Sequence, residues 1–438
     1  MFGTKILIDK LNTAINSGTL EELEIVQALG AIESLEKHPV SSVATSADLP
    51  NPVTNKGRFF WIENEQKYTF SNGVSWNINS IIQQPYVNGW TFGVNAAGQL
   101  GDNTIVDKSS PVSVAGGFTD WVQLSASVNH SLGLRANGSA WAWGNNTGGR
   151  LGDNTTTTKS SPVSVVGGGV LWTQLSAGNY HSLGLRADGT AWAWGNGGNG
   201  RLGDNTGVSK TSPVSVVGGG VLWVQLSAGY NHSLGVRADG TAWAWGSNSS
   251  LQLGDGTSTS KSSPVSVIGG FTDWVQVSAG GIFSLGLRAD GTAWAWGRNA
   301  AGVLGNNSTT PASILSPVSV VGGFTDWIQL SAGSNHSLGL RANGTAWAWG
   351  NNTSGRLGDG TATQRSSPVS VVGGFTDWIQ VSGGTSHSVA VRSNGVAFEW
   401  GVTTASGVVS SSSPVSIVGG FTDWVQMDGG THTAGIRG

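Results

Sequence analysis

Large apolar residues recur along most of this chain in short alternating runs that glycine interrupts, and the whole pattern restarts about every fifty positions. One period runs from Trp172 to Val216. Trp172-Thr173-Gln174-Leu175-Ser176 alternates large with small or polar residues, which predicts a strand lying between two layers. His181 to Arg186 predicts a second strand, and Asp188-Gly189 turns the chain because glycine accepts the positive φ of a tight hairpin. Ala191 to Trp194 predicts the third. After a glycine-rich loop and Leu202-Gly203-Asp204, Ser212-Pro213-Val214-Ser215-Val216 predicts a fourth strand, with proline where a missing N–H costs least, at an edge.

The turn dipeptide returns at Asn137-Gly138, Asp239-Gly240, Asp290-Gly291, Asn343-Gly344 and Asn394-Gly395. The aromatic pair of the third strand starts at Trp90, Trp141, Trp192, Trp243, Trp294, Trp347 and Phe398, so successive starts lie 51, 51, 51, 51, 53 and 51 residues apart. Seven repeats of about four short antiparallel strands predict a seven-bladed β-propeller. The chain ends on a second strand, His432 to Gly438, and the first repeat begins on a third strand at Asn88-Gly89-Trp90. One blade is therefore expected to be assembled from both ends of the domain, which closes the ring and removes an open sheet edge.

Composition agrees with a mainly β chain: 69 glycines suit many turns and 21 tryptophans suit wide inter-blade packing. Acidic and basic residues balance across 86–438, leaving no basic stripe of the kind that displaces counterions from nucleic acid. No apolar run has the length of a membrane span, and the first 40 residues lack a signal-peptide pattern, so membrane insertion is not expected. With no cysteine there is no thiolate site. Neither a phosphate loop, a His-Glu-x-x-His, a Gly-x-Ser-x-Gly elbow nor a cysteine nucleophile is present, and the chain reads as a non-enzyme without cofactor or metal.

Several periodic sets look chemical but read as structural. His130, His181, His232, His336, His387 and His432 share one slot, with Phe283 in the remaining repeat; rotation about the propeller axis separates them too far for a common metal ion. Arg135, Arg186, Arg237, Arg288, Arg341, Arg392 and Arg437 sit beside hairpins, where local ion pairs with acids such as Asp188 and Asp239, or stacking on tryptophan, are expected. Asp102, Asp153 and Asp204 read as loop caps. The largest break in pattern is the fifth repeat, with its 53-residue spacing, Arg298 after Trp-Ala-Trp-Gly, Asn306 in place of Asp, and Pro311. Arg298, Asn299, Ser308, Thr309 and Thr310 are the candidate receptor-binding residues, because loops carry recognition.

The recurrent Gly-x-x-His-Ser-Leu-Gly-Leu-Arg, Asp-Gly-Thr-Ala-Trp-Ala-Trp-Gly and Leu-Gly-Asp segments resemble the regulator-of-chromosome-condensation repeat family over about 350 residues. That resemblance implies the propeller fold. It leaves function open, since the family's founding member is an exchange factor for a small GTPase that docks on chromatin, while other members are scaffolds.

Ahead of the propeller, residues 5–16 and 19–37 predict a helical hairpin joined at Ser17-Gly18. Thr19 and Glu22 have capping-box spacing, and Ile25, Ala28, Leu29, Ile32 and Leu35 share one face before Pro39. A Ser-rich link, Ser41 to Ser46, leads to three predicted strands, Arg58 to Glu63, Lys67 to Ser71 and Ser75 to Ile78. Asp48-Leu49-Pro50, Gly57-Arg58-Phe59-Phe60-Trp61, Lys67-Tyr68-Thr69 and Asn72-Gly73-Val74-Ser75-Trp76 resemble a module of bacteriophage tail-fibre and appendage proteins. The expected organisation is a helical hairpin over 1–40 for docking or oligomerisation, a small β module or linker over 41–85, and the propeller over 86–438. The resemblance implies a virion structural protein, a tail or capsid fibre assembled in the host cytoplasm. It would be homotrimeric, joined to other virion proteins through 1–85, and would present the propeller to a host-surface glycan or protein. The alternatives are an intracellular exchange-factor or scaffold propeller and a polysaccharide-degrading tail spike.

Overall fold

Seven four-stranded antiparallel sheets follow one another along the chain, and six are built from consecutive strands. The computed structural model describes residues 87–438 apart from 168, 219–221 and 403–409. It also describes the backbone of four short strands nearer the N-terminus, Ser42–Val43, Phe59–Ile62, Lys67–Ser71 and Trp76–Asn77. Blade three shows the plan. Trp172–Ala177 is innermost, His181–Arg186 second, Ala191–Gly195 third and Lys210–Ser215 outermost. The blades are numbered by their third strands, so blade one holds Asn88–Gly93 and blade seven Ala397–Gly401.

Blade one joins the two ends of the domain as expected. Trp424–Gly429 and His432–Arg437 supply its two inner strands, Asn88–Gly93 and Lys108–Ser113 its two outer ones. The closing register runs unbroken from His432 opposite Gly93 to Arg437 opposite Asn88.

The core lies between blades. At one junction Leu183, Leu185, Ala191, Ala193, Leu202 and Val216 of blade three meet Trp223, Leu226 and Trp245 of blade four. The inner-strand tryptophan needs a glycine behind it: a Cβ on Gly184 would meet the Trp172 ring at 2.6 Å. In the third strand the second tryptophan of each pair, such as Trp194, is fully buried, while the first, such as Trp192, stays half-covered. Periodic tryptophan is thus used for packing, which buries on the order of 150–250 Å² per ring.

Neighbouring innermost strands do not pair directly. A glutamine in each bridges them: Gln225 accepts from Val277 N at 2.9 Å and donates to Val277 O at 2.9 Å. Gln426 makes the same bridge to Leu124 across the closure. A serine two residues further accepts from the next strand, as Ser227 does from Ala279 N.

Residues 1–86 form a separate unit from Val87–Gly438. Phe59–Ile62 pairs antiparallel with Lys67–Ser71, which pairs with Trp76–Asn77, in line with the three predicted strands. The Ser-rich link contributes one strand more than expected, Ser42–Val43, parallel to Phe59–Ile62. The predicted helical hairpin lies outside the described residues.

Candidate functional site

At one end of the propeller axis six blades present a hairpin turn and blade one has the two ends of the domain; at the other end each blade presents two loops. The loop face is formed by the connection between the first and second strands and by the long connection after the third. At its centre, the ends of the innermost strands surround an axial cavity of about 150 Å³. Ser125, Ser176, Ser227, Ser278, Ser331 and Ser382 occupy equivalent positions around it, and blade one puts Asp428 there instead. Asp428 accepts from Ala126 N at 2.8 Å and from Ser382 Oγ at 2.7 Å, and burial pushes its carboxyl up against those hydrogen bonds. This departure, Gln-Met-Asp-Gly where four blades read Gln-Leu-Ser-Ala and the other two keep the serine, is visible in the sequence but small beside the fifth-blade insertion.

The histidine slot forms a belt between blades. His130 reaches Ser182 at 2.9 Å, His181 reaches Ser233 at 2.7 Å, His232 reaches Ser284 at 3.0 Å, and His432 closes the circle on Ser131 at 2.6 Å. Each serine hydroxyl donates to a loop carbonyl, for example Ser284 to Gln252 O at 2.8 Å. Its one proton is then used, so the imidazole must be the Nε2 donor. Burial holds His232 and His432 down to about 3 and His387 to about 4. Among the described residues no three His, Asp or Glu side chains are grouped to hold a metal ion.

Five hairpin-face arginines find acids, for the most part not those expected, although Arg288 also meets the acid two residues on, Asp290, at 3.3 Å. Arg135, Arg288, Arg341, Arg392 and Arg437 bind Asp120, Asp273, Asp326, Asp377 and Asp423 at 2.7–2.9 Å, each the residue before an inner-strand tryptophan. Asp188 and Asp239 instead cap their own turns through Thr190 and Thr241. In blades three and four leucine replaces the partner acid, and Arg186 and Arg237 lie over Trp192 and Trp243, with Cζ 3.5 and 3.7 Å from the ring centroids. The five paired arginines stack as well, with Cζ 3.4–4.3 Å from the ring centroids of Phe118, Phe271, Phe324, Phe375 and Phe421, so all seven lie over an aromatic ring and five of them also pair with an acid.

Long loops on the loop face are pinned by an asparagine. Asn146 donates to Asp153 at 2.9 Å and accepts from Leu151 N at 2.9 Å, and Asp153 caps Thr155. Asn95, Asn248 and Asn352 repeat the first two contacts. So does Asn299, fully buried, on Asn306 and Leu304. Asn299 is therefore removed from the candidate receptor contacts: it holds the loop from inside. Of the other candidates, Arg298, Thr309 and Thr310 are exposed on the loop face, and half-buried Ser308 is engaged with Thr310.

The residue before each Leu-Gly pair on this face differs between blades: Gln99, Arg150, Arg201, Gln252, Val303 and Arg356. Arg150 donates to Thr147 O at 3.1 Å and Asn179 O at 2.9 Å, and Arg356 to Thr353 O and Thr385 O at 3.0 Å each. Among the described residues Arg201 donates to Gly198 O alone, at 2.8 Å. None of the three meets a carboxylate among the described residues, and burial pushes each guanidinium down. Two tyrosines stand with them: Tyr180 beside Arg150 and Arg201, and Tyr230, which reaches across the cavity to accept from Ser334 at 2.9 Å.

A family model described as the RCC1-like domain matches residues 87–372. The chain is 27% identical over 323 residues to the ultraviolet-B receptor UVR8 of Arabidopsis thaliana, covering 71% of this chain and 72% of the receptor. It is 31% identical over 292 residues to the probable E3 ubiquitin-protein ligase HERC6 of Homo sapiens, covering 64% of this chain but 28% of that protein. Among solved structures, Prp20p from Saccharomyces cerevisiae, described with its binding to Gsp1p and histones, superposes with a TM-score of 0.72 at 21% identity over 81% of this chain and 92% of that one. Human WBSCR16 superposes with a TM-score of 0.70 at 20% identity over 80% and 98%. The structural matches concern the fold.

Proposed function

Since the chain belongs to the RCC1-like domain family, we propose that it is a non-enzymatic scaffold propeller that binds a partner protein through its loop face. One observation carries the choice of face. Five of the seven hairpin-face arginines are neutralised by a neighbouring acid. The loop face, beside ion pairs such as Arg365–Asp359, carries three buried arginines that meet no carboxylate among the described residues, two tyrosines, and the irregular fifth-blade loop with exposed Arg298, Thr309 and Thr310. Departures from a repeat that costs nothing to keep regular mark where seven similar blades stop being equivalent, and a partner needs such landmarks to bind in one orientation. A relative that binds Gsp1p and histones on the same fold supports a binding role.

Capture of partners from extract of the cells that make the protein tests the reading. Arg298→Ala with Thr309→Ala and Thr310→Ala is expected to reduce capture severalfold at an unchanged melting temperature, and Thr156→Ala with Thr157→Ala, in the matched loop of blade two, serves as control. Equal capture by both variants removes the fifth-blade loop as the contact. Accelerated nucleotide release from a captured GTPase would distinguish exchange activity from scaffolding.

A second reading is display on a bacteriophage particle, with residues 1–85 docking to other virion proteins as a trimer and the propeller meeting the host surface. The order of a small module before the propeller and the resemblance of residues 48–76 to appendage modules support it. Mass spectrometry of purified particles tests it.

A further inference from the structure

We propose that Arg150, Tyr180 and Arg201 form a subsite for an oxyanion, a carboxylate or phosphate group, on the loop face between blades two and three. The proposal deepens the loop-face reading by naming the chemistry of one contact.

The fold does not require arginine at these positions. What the repeat uses is the backbone carbonyl: Arg150 O and Arg201 O accept from Ser182 and Ser233 at 2.8 Å, and Gln252 O and Val303 O do the same for Ser284 and Ser337. Glutamine and valine therefore satisfy the same slot. Two successive blades nevertheless place guanidinium groups there, each only 5% exposed and close enough for one to lower the other's proton affinity.

Buried cations are ordinarily paired. Here no carboxylate among the described residues faces either one, and His181, the nearest imidazole, is held neutral by burial. The Tyr180 ring lies between them, its centroid 5.8 Å from Arg150 Cζ and 5.0 Å from Arg201 Cζ, which offsets part of the charge. The terminal nitrogens of Arg201 have no hydrogen-bond partner among the described residues, yet they are not among the atoms sealed from solvent. Tyr180 is 38% exposed above them, and its hydroxyl is likewise without a partner there. The terminal nitrogens of Arg201, the Arg150 N–H groups not spent on Thr147 O and Asn179 O, and a phenol at the surface match an oxyanion, which accepts several such donors at once.

The test uses the full chain and three salts at equal ionic strength: sodium phosphate, sodium acetate and sodium chloride. Phosphate, acetate or both are expected to raise the melting temperature above the chloride value, because a ligand that binds the folded state stabilises it. Arg150→Gln with Arg201→Gln, the residue that blades one and four use, is expected to fold and to lose that increment, with at least a tenfold weaker affinity in calorimetric titration. Arg356→Gln is expected to keep it. An increment with phosphate alone identifies a phosphate group as the source, and with acetate alone a carboxylate. No increment in the wild type, or the same increment in the double variant, overturns the subsite. Partner capture measured in parallel separates the two readings. Anion binding lost with capture intact leaves the subsite but removes it from the partner contact, whereas capture lost in the fifth-blade variant with anion binding intact concerns the face alone.

Discussion

His232 shows how one residue's protonation state is tied to the whole ring. Its Nε2 must donate to Ser284, because the serine proton is committed to Gln252 O, and its Nδ1 is buried without a partner. A second proton would introduce a charge where nothing accepts it, and burial accordingly holds the folded value at about 3, against about 6.5 for a free imidazole. The sign follows directly. The unfolded chain takes up protons below about pH 6.5 and the folded chain does not until far lower, so stability is full above that value and is lost as pH falls toward 3–4. Urea midpoints measured between pH 7.5 and 4.5 should fall steadily. His232→Phe, which copies Phe283, should cost within about 1 kcal/mol at pH 7.5, since Ser284 keeps its bond to Gln252 O. It should remove one share of the acid loss, with the five other buried histidines keeping theirs; a variant as acid-sensitive as the parent would put the pH response elsewhere.

Hairpins and inner strands explain which parts of the site were legible in the sequence. Alternation, Asp-Gly turns and the register of tryptophans locate every blade, because each acts within a few residues. Longer-range partners, within a blade or across blades, leave no such local mark. Asp273 lies fifteen residues from Arg288 along the chain and yet pairs with it at 2.9 Å, and Ser284 belongs to a different blade from His232. The nearer Asp188 and Asp239 cap their own turns, and Asp290 reaches Arg288 only in addition to Asp273, so proximity in sequence found the lesser partner. Asn299 is misleading for a related reason: an exposed-looking polar loop residue is the one that holds the loop together. Arg150 and Arg201 escape notice because one substituted side chain in a regular loop is less visible than an insertion. The hairpins also permit a sharp test. Gly240 and Gly270 both have φ near +70°, but a Cβ on Gly240 would strike the Thr272 carbonyl oxygen and one on Gly270 meets nothing within 4 Å. Gly270→Ala should cost about 1 kcal/mol, the left-handed penalty alone. Gly240→Ala should cost a further 1–3 kcal/mol for the clash. Equal denaturation midpoints for the two would mean the turn relaxes freely.

At the scale of the molecule, the ring is held by lateral side-chain bridges that do not stop at the chain ends. Gln426, Asp428 and His432 link the last two strands to Leu124, Ala126 and Ser131 of blade two, while Gln380, Ser382 and His387 of blade seven reach them from the other side. Deleting Asp423–Gly438 therefore does more than shorten a sheet. It exposes the edge of Asn88–Gly93, opens both flanking blades, and strips the packing of Trp424 and Met427 from the last junction. Loss of soluble monomer is expected, and a truncated chain with an unchanged melting temperature would show that six blades close by themselves. The converse experiment isolates connectivity from contacts. Arg437 lies opposite Asn88, and Gly438 takes the place of Ala187 in a turn that elsewhere continues Asp-Gly or Asn-Gly. Inserting Asp-Gly between Gly438 and Asn88 should rebuild that hairpin, and new ends can be opened in another hairpin, between Asp239 and Gly240. All seven sheets remain in such a permutant, but the strand pairing that closes blade one becomes local and that of blade four becomes the union of the two ends. If closure is a matter of pairing and lateral bridges, it should melt within a few degrees of residues 87–438 in native order. A permutant that fails to fold would show that the order in which blades form, and not the set of contacts, decides whether the ring closes.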